Sequence, residues 1–183
     1  MSKNHKKIGF TIFISIVVSL LLLNQDWYRL FPKTDLEKVH LKTLRASGEK
    51  AIDNLDIPVS CILLYQNKII GKGYNTILKD NNAGGHAEIN AISDALKNIG
   101  HDKFSKLDRD SITLITTYEP CLMCKGAIIN NRIKNVSFIQ KKSLWKHTKY
   151  SIKTLNYEFL KRKNKEDTLQ EFLFKKHPNY PKK

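Results

Sequence analysis

The chain has 183 residues, 41% hydrophobic and 27% charged, which suits one globular domain of ordinary size and composition. Its three cysteines exclude an even-numbered disulfide framework. The formal net charge of +15 is uneven: residues 141–183 carry thirteen Lys and Arg against four Asp and Glu, while residues 40–140 carry thirteen against ten. Such a basic end suits nucleic acid or anionic headgroups, or is a solvated tail, and no RNA-binding module signature accompanies it.

Residues 1–7 are a basic flank containing Lys3, Lys6 and Lys7. Residues 8–23 are uncharged and almost wholly apolar. Extended by Asn24 and Gln25, the segment 8–25 approaches the roughly 20 residues of a transmembrane helix, with Trp27 and Tyr28 placed as an interfacial aromatic belt. A cleaved signal peptide is the rival, but no small-x-small site follows Leu23. The expectation is a single-pass membrane protein anchored by an N-terminal transmembrane helix, with the membrane as a partner. Lys3, Lys6 and Lys7 favour the N-terminus inside, whereas Arg29, Lys33, Lys38, Lys42 and Arg45 pull the other way, so charge leaves the side of the domain open.

Thr34-Asp35-Leu36-Glu37 reads as a capping box opening a helix, whose stripe is Leu36, Val39, His40, Leu44, Ala51, Ile52 and Leu55 and whose end is marked by Pro58. Residues 59–65 and 68–74 are apolar runs around Gln66-Asn67 and predict a β-hairpin. Cys61 lies inside the first run and reads as a small buried hydrophobe. Residues 75–85, rich in Asn and Gly, predict a loop. Ile89, Ile92, Leu96 and Ile99 recur at helical spacing, predicting a helix over 87–99 closed by Gly100. Residues 111–117 predict a buried strand, 121–131 a helix and 134–140 another strand. The order α-β-β-α-β-α-β implies an α/β sheet with helices on both faces. Residues 155–176 predict a last amphipathic helix using Leu160, Leu169, Phe172 and Leu173, interrupted by the charged run 161–167. The chain thus divides into the flank, the anchor, a domain over 34–155 and a basic helix and tail over 156–183.

His86-Ala87-Glu88 and Pro120-Cys121-Leu122-Met123-Cys124 carry the chemistry. One imidazole and two thiolates plus an open fourth position describe a catalytic zinc site, one Zn2+ per subunit, held by His86, Cys121 and Cys124. Glu88 is near but not a ligand, which suits a catalytic carboxylate that moves protons for a water. Cys121 and Cys124, at i and i+3, share one helix side, and the helix start favours thiolate. Each half alone is weak. A lone His-x-Glu is more often capping and surface charge, and a lone Cys-x-x-Cys can be a redox pair or half a structural zinc site. The redox reading leaves Glu88 without a role, and the structural-zinc reading lacks a fourth ligand, with nothing near His101 or His147 to support either. The two halves in this order are the His-x-Glu…Pro-Cys-x-x-Cys signature of zinc deaminases.

On these residues the chain resembles the cytidine and deoxycytidylate deaminase superfamily, and within it the tRNA adenosine deaminase and guanine deaminase branch. Supporting segments are Ile57-Pro58-Val59, Ile70-Gly71-Lys72-Gly73-Tyr74-Asn75, Ile89-Asn90-Ala91-Ile92, Glu119 and Lys125-Gly126-Ala127-Ile128, from about His40 to Gln140. The resemblance implies a three-layer α/β/α fold around a five-stranded mixed sheet, and substrate contacts from Asn75 and the Ala87 backbone. It also implies a homodimer. It departs from the branch in Asn82-Ala83-Gly84-Gly85, where two glycines predict a more mobile loop, and in Ser60-Cys61, which replaces a Gly-Ala pair. The function expected is zinc-dependent hydrolytic deamination of an amino-substituted nucleobase, with a nucleobase, nucleoside or RNA as substrate and ammonia released. The alternative is a catalytically silent, membrane-tethered zinc-binding interaction module.

Overall fold

The computed structural model describes residues 12–15, 19, 35–162 and 169–176. Two compact units, Met1–Leu144 and Trp145–Lys183, divide the chain. In the first, the order is α1 (Lys38–Asp53), β1 (Ser60–Tyr65), β2 (Lys68–Tyr74), α2 (Ala87–Ile99), α3 (His101–Lys106), a 3-10 turn (Arg109–Ser111), β3 (Ile112–Tyr118), α4 (Leu122–Asn130) and β4 (Asn135–Gln140).

The sheet order is β2-β1-β3-β4. β1 pairs antiparallel with both β2 and β3, and β3 pairs parallel with β4 across the connection made by α4. Alternate residues of β1 serve two cores. Cys61 and Leu63 join Ala87, Ala91, Ile92 and Ile128 of α2 and α4 on one face, while Ile62 and Leu64 join Leu44 of α1 on the other. A strand buried on both faces has no polar alternation to display, which is why residues 60–64 are apolar or small throughout. The three layers expected are present.

The five-stranded sheet is corrected to four strands among the described residues. The residue pattern itself predicts only four, and the fifth came from the resemblance. Beyond Gln140 the chain enters α5 (Leu144–Leu160), a stretch without Gly or Pro and without the period-2 alternation of a strand. In the second unit, α5 and α6 (Leu169–Lys176) replace the single helix expected over 155–176.

The expected N-terminal transmembrane helix is also corrected. Among the described residues no helix is long and apolar enough to cross a membrane. With it falls the reading of a single-pass membrane protein with the membrane as partner. Of the segment 8–25 only residues 12–15 and 19 are described, and the rest lies outside the described residues.

Two local expectations change. α1 begins after Glu37, which makes no side-chain cap, and Thr34 of the proposed capping box lies outside the described residues. Its buried face is His40, Leu44, Ser47 and Ala51, while Val39, Ile52 and Leu55 are exposed. The spacing i, i+4, i+7, i+11 is one helical stripe, and it carries two polar residues that a purely apolar count passes over. Beside this stripe, Ser60 Oγ of β1 donates to Leu44 O at 2.7 Å.

Candidate metal centre and active site

The register of β1 brings two helix starts together. Ser60 lies opposite Tyr74, the last residue of β2, and Cys61 lies opposite Thr116, near the end of β3. Both strands therefore finish at the same end of the sheet. From there the chain turns into α2, with His86 as N-cap, and into α4, with Cys121 as N-cap. α2 rides unusually close to β2, because a Cβ on Gly71 would lie 2.2 Å from Ala91 O and 2.9 Å from the Ala95 Cβ. Ala87, Ala91 and Ala95 present the matching small stripe.

His86 Nδ1 is 3.6 Å from Cys121 Sγ and 3.5 Å from Cys124 Sγ, and the two sulfurs are 3.4 Å apart. A metal about 2.3 Å from sulfur and about 2.0 Å from nitrogen at tetrahedral angles needs ligand separations of about 3.5–3.8 Å. The donor set and spacing fit zinc. Among the described residues these three form the one group of His, Cys, Asp or Glu able to hold a metal, so no fourth protein ligand joins them. His86 and Cys121 are half-buried and Cys124 is buried, so the group opens to solvent on one side.

The two thiols are unequal without a metal. The hydrogen bond shared with Cys124, helped by the Cys124 backbone N–H and by His86, outweighs burial and holds Cys121 down to about 5. That same contact, then burial and the Glu88 carboxylate, pushes Cys124 up. One proton is thus kept between two sulfurs, and metal loading displaces it.

Glu88, in the first turn of α2, is 3% exposed. Its Oε2 lies 3.3 Å from Cys124 Sγ and its Oε1 lies 3.4 Å from Thr116 Oγ1. A carboxylate is therefore placed against the metal group, as the spacing of the motif predicts. Cys61 is fully buried on the strand beside Thr116, and burial, then the Glu88 charge, pushes its thiol well up.

Asn75 and Ala87 are brought together, but to each other: the Ala87 N–H donates to Asn75 Oδ1 at 3.0 Å. Asn75 is buried and its own N–H donates to Val59 O at 3.1 Å. The loop after it is pinned. Thr76 N–H donates to Gly85 O at 2.8 Å, Gly84 N–H donates to Asn82 Oδ1 at 2.9 Å, and the buried Asp56 carboxylate accepts Leu78 N–H at 2.9 Å and Lys79 N–H at 3.2 Å. The two glycines reflect crowding as much as freedom, since a Cβ on Gly85 would meet Thr76 Oγ1 at 2.9 Å.

Four side chains of this region have roles that the motif reading did not assign, although Asn90 and Glu119 stand in the segments that carry the resemblance. Asn90 Nδ2 donates to Tyr74 O at 2.8 Å and Thr76 Oγ1 at 3.0 Å, tying α2 to the start of the loop. Glu119 accepts the Lys142 N–H at 2.9 Å and so fixes the turn before Pro120 and Cys121. Asp56 pins the loop, and Thr116 touches Glu88. Asn90 and Glu119 were legible as motif members, but not their partners. Asp56 and Thr116 had no signal, because polar residues in buried runs show their partners only once the sheet is assembled.

The model of the cytidine and deoxycytidylate deaminase zinc-binding region matches residues 33–140. A tRNA-specific adenosine deaminase of Buchnera aphidicola subsp. Schizaphis graminum is 37% identical over 106 residues, 58% of this chain and 67% of that protein. A tRNA-specific adenosine deaminase 2 of Xenopus tropicalis is 41% identical over 84 residues, 44% of this chain and 48% of that protein. The chain thus spans two thirds of the first relative and about half of the second. The crystal structure of guanine deaminase from Bacillus subtilis superimposes with a TM-score of 0.53 at 26% identity, covering 73% of this chain and 88% of that one. These relatives are deaminases, hydrolases that break a C–N bond, and the chain belongs to the cytidine and deoxycytidylate deaminase zinc-binding family, with zinc as its metal.

Proposed function

We propose that the chain is a hydrolase that deaminates a purine base carrying an exocyclic amine, and that its substrate is adenosine within RNA. The observation that carries this reading is the triangle of His86, Cys121 and Cys124 with the buried Glu88 carboxylate against it. Zinc, when bound there, supplies Lewis-acid activation that brings the pKa of a water to about 7. Glu88 takes one proton of the attacking water through Oε2 and passes it to the ring nitrogen, then carries the remaining hydroxyl proton to the departing amine, so that the carbon keeps the oxygen as a carbonyl. Water adds to the ring carbon, the C–N bond breaks, and ammonia leaves. Asn75, held by its bond to Ala87 N–H, keeps an amide donor at the end of β2 for a planar base, and the Ala87 backbone supports it. The identity to tRNA-specific adenosine deaminases and the net charge of +15 favour RNA over a free base. An intact Glu88 beside the ligands disfavours the catalytically silent binding module.

A homodimer goes with this reading. Leu122, Met123 and Ile129 of α4 and Val136 and Ile139 of β4 are exposed apolar residues suited to a partner. Light scattering with size exclusion tests it; a monomer at micromolar concentration rejects it.

The activity is tested by ammonia release from the zinc-loaded chain against adenine, guanine, cytosine, their nucleosides and a tRNA anticodon stem-loop, with Glu88→Gln as control. Release from the stem-loop, lost in the control, supports the proposal. Release from guanine alone moves the substrate to a free base, and silence across the panel from a folded, zinc-loaded protein rejects deamination of all of them.

A further inference from the structure

We propose that Thr116 is a positioning residue: its buried hydroxyl tethers Glu88 beside the zinc ligands and keeps the carboxylate from becoming a fourth ligand. The inference rests on the deaminase reading above. An ionised carboxylate is itself a competent zinc ligand, and four protein ligands make the closed arrangement of structural zinc sites. Glu88 Oε2 lies 3.3 Å from Cys124 Sγ yet the carboxylate stays outside the ligand group, so a swing of this one side chain is what would bring it onto the metal. A base in this position must be held near and held back at once.

Thr116 is placed to do so. It is fully buried on β3, five residues before Cys121, so one strand-to-helix segment carries both the tether and a ligand. Its single hydroxyl proton has two acceptors in reach, Glu88 Oε1 at 3.4 Å and Tyr118 O at 3.2 Å. Of these the carboxylate is charged, and hydrogen bonds to charged groups are about twice as strong as neutral ones. Bonding Oε1 leaves Oε2 turned toward the metal group. Cys61, opposite Thr116 in the β1–β3 register, is fully buried. Without the hydroxyl, Glu88 Oε1 loses this donor, and the metal competes for the carboxylate.

The test compares Thr116→Val, which removes the hydroxyl at nearly constant volume, with Thr116→Ser, which keeps it, in the full chain loaded with zinc or with Co(II). The valine protein is expected to hold one metal per chain and lose about 10–100-fold in kcat, with KM unchanged, as when a group supporting a metal site is removed. Its visible Co(II) spectrum is expected to become that of a closed site indifferent to added azide or cyanide, while the unaltered chain responds to them. Serine restores both. Unchanged kcat and an unchanged Co(II) spectrum in the valine protein overturn the proposal, as does equal damage by valine and serine, which marks a packing role. Should the valine protein fail to fold, Thr116→Ala against Thr116→Ser decides on the same two readouts. The spectrum is read without turnover, so a chain that deaminates nothing on the panel rejects the activity and leaves this tether separately testable.

Discussion

A Cβ built on Gly73 would lie 2.1 Å from the Ala87 carbonyl oxygen and 2.4 Å from Ala91 N. The clash is with helix backbone, which cannot turn aside. Gly73 therefore sets how closely α2 lies on β2, and α2 begins with the metal ligand His86 and the carboxylate Glu88. Gly73→Ala is expected to cost at least about 3 kcal/mol, at the upper end of overpacking. Urea denaturation measures this. Zinc stoichiometry of the surviving folded protein should fall with it, because displacement of α2 opens the ligand triangle.

Removing the metal should reveal unequal cysteines. Cys121 is held down to about 5, first by its hydrogen bond with Cys124, whereas Cys124 is pushed up. A group whose pKa is lowered is charged above the lowered value. After chelation, one thiol should alkylate rapidly at neutral pH, and the rate should fall only as pH drops through about 5. Mass spectrometry should place the label on Cys121, Cys121→Ser should abolish the fast phase, and zinc should protect both sulfurs. A conventional thiol titration near pH 8.5 would contradict this.

The Asn75–Ala87 bond separates holding the fold from holding a base. Asn75→Ala leaves the buried Ala87 N–H without its partner and is expected to cost about 1–3 kcal/mol. Asn75→Asp keeps the acceptor for Ala87 but loses the amide donor. The Asp protein should therefore melt close to the unaltered chain and show a raised KM with any substrate the panel identifies. Equal melting temperatures for all three would remove the structural role.

Cys124→Ala should be more severe than Cys121→Ala. Both remove a ligand, but Cys124 is fully buried and stands against Glu88, so its loss also leaves a cavity beside a buried carboxylate. Metal analysis should show zinc lost from both, and thermal melts without metal should place the Cys124 variant lower.

The hairpin turn carries a removable strain. Gln66 and Asn67 have φ of 48° and 63°, a two-residue turn with both centres left-handed. Gln66→Asn should stabilise the domain by up to about 1 kcal/mol, since Asn tolerates that region better than Gln. The urea midpoint should rise with no change in slope; a fall would mean that Gln66 makes contacts outweighing its backbone cost.

Much of this architecture is local and was legible in the amino-acid order. The hairpin, the helix over 87–99 and the strands of β3 and β4 follow from periodicity and turn residues, because each is decided within a few neighbours along the chain. The metal donors were legible for the same reason: His86 and the Cys121–Cys124 pair each occupy one helix start, and the chemistry of one imidazole and two thiols limits what they can hold. The length of the sheet and the apparent membrane anchor were misread. The first leaned on resemblance where the residues themselves predicted four strands, and the second on an apolar run with basic and aromatic flanks. Tertiary structure decided the rest. Nothing in a run such as Ile112–Tyr118 says that Thr116 will meet Glu88, or that Gly73 will lie under Ala87, because those meetings depend on the register of β1 between β2 and β3. Sequence determined which groups are present and how each element forms; the register of one central strand determined which of them touch, since a shift of one residue would turn Cys61 to the opposite face.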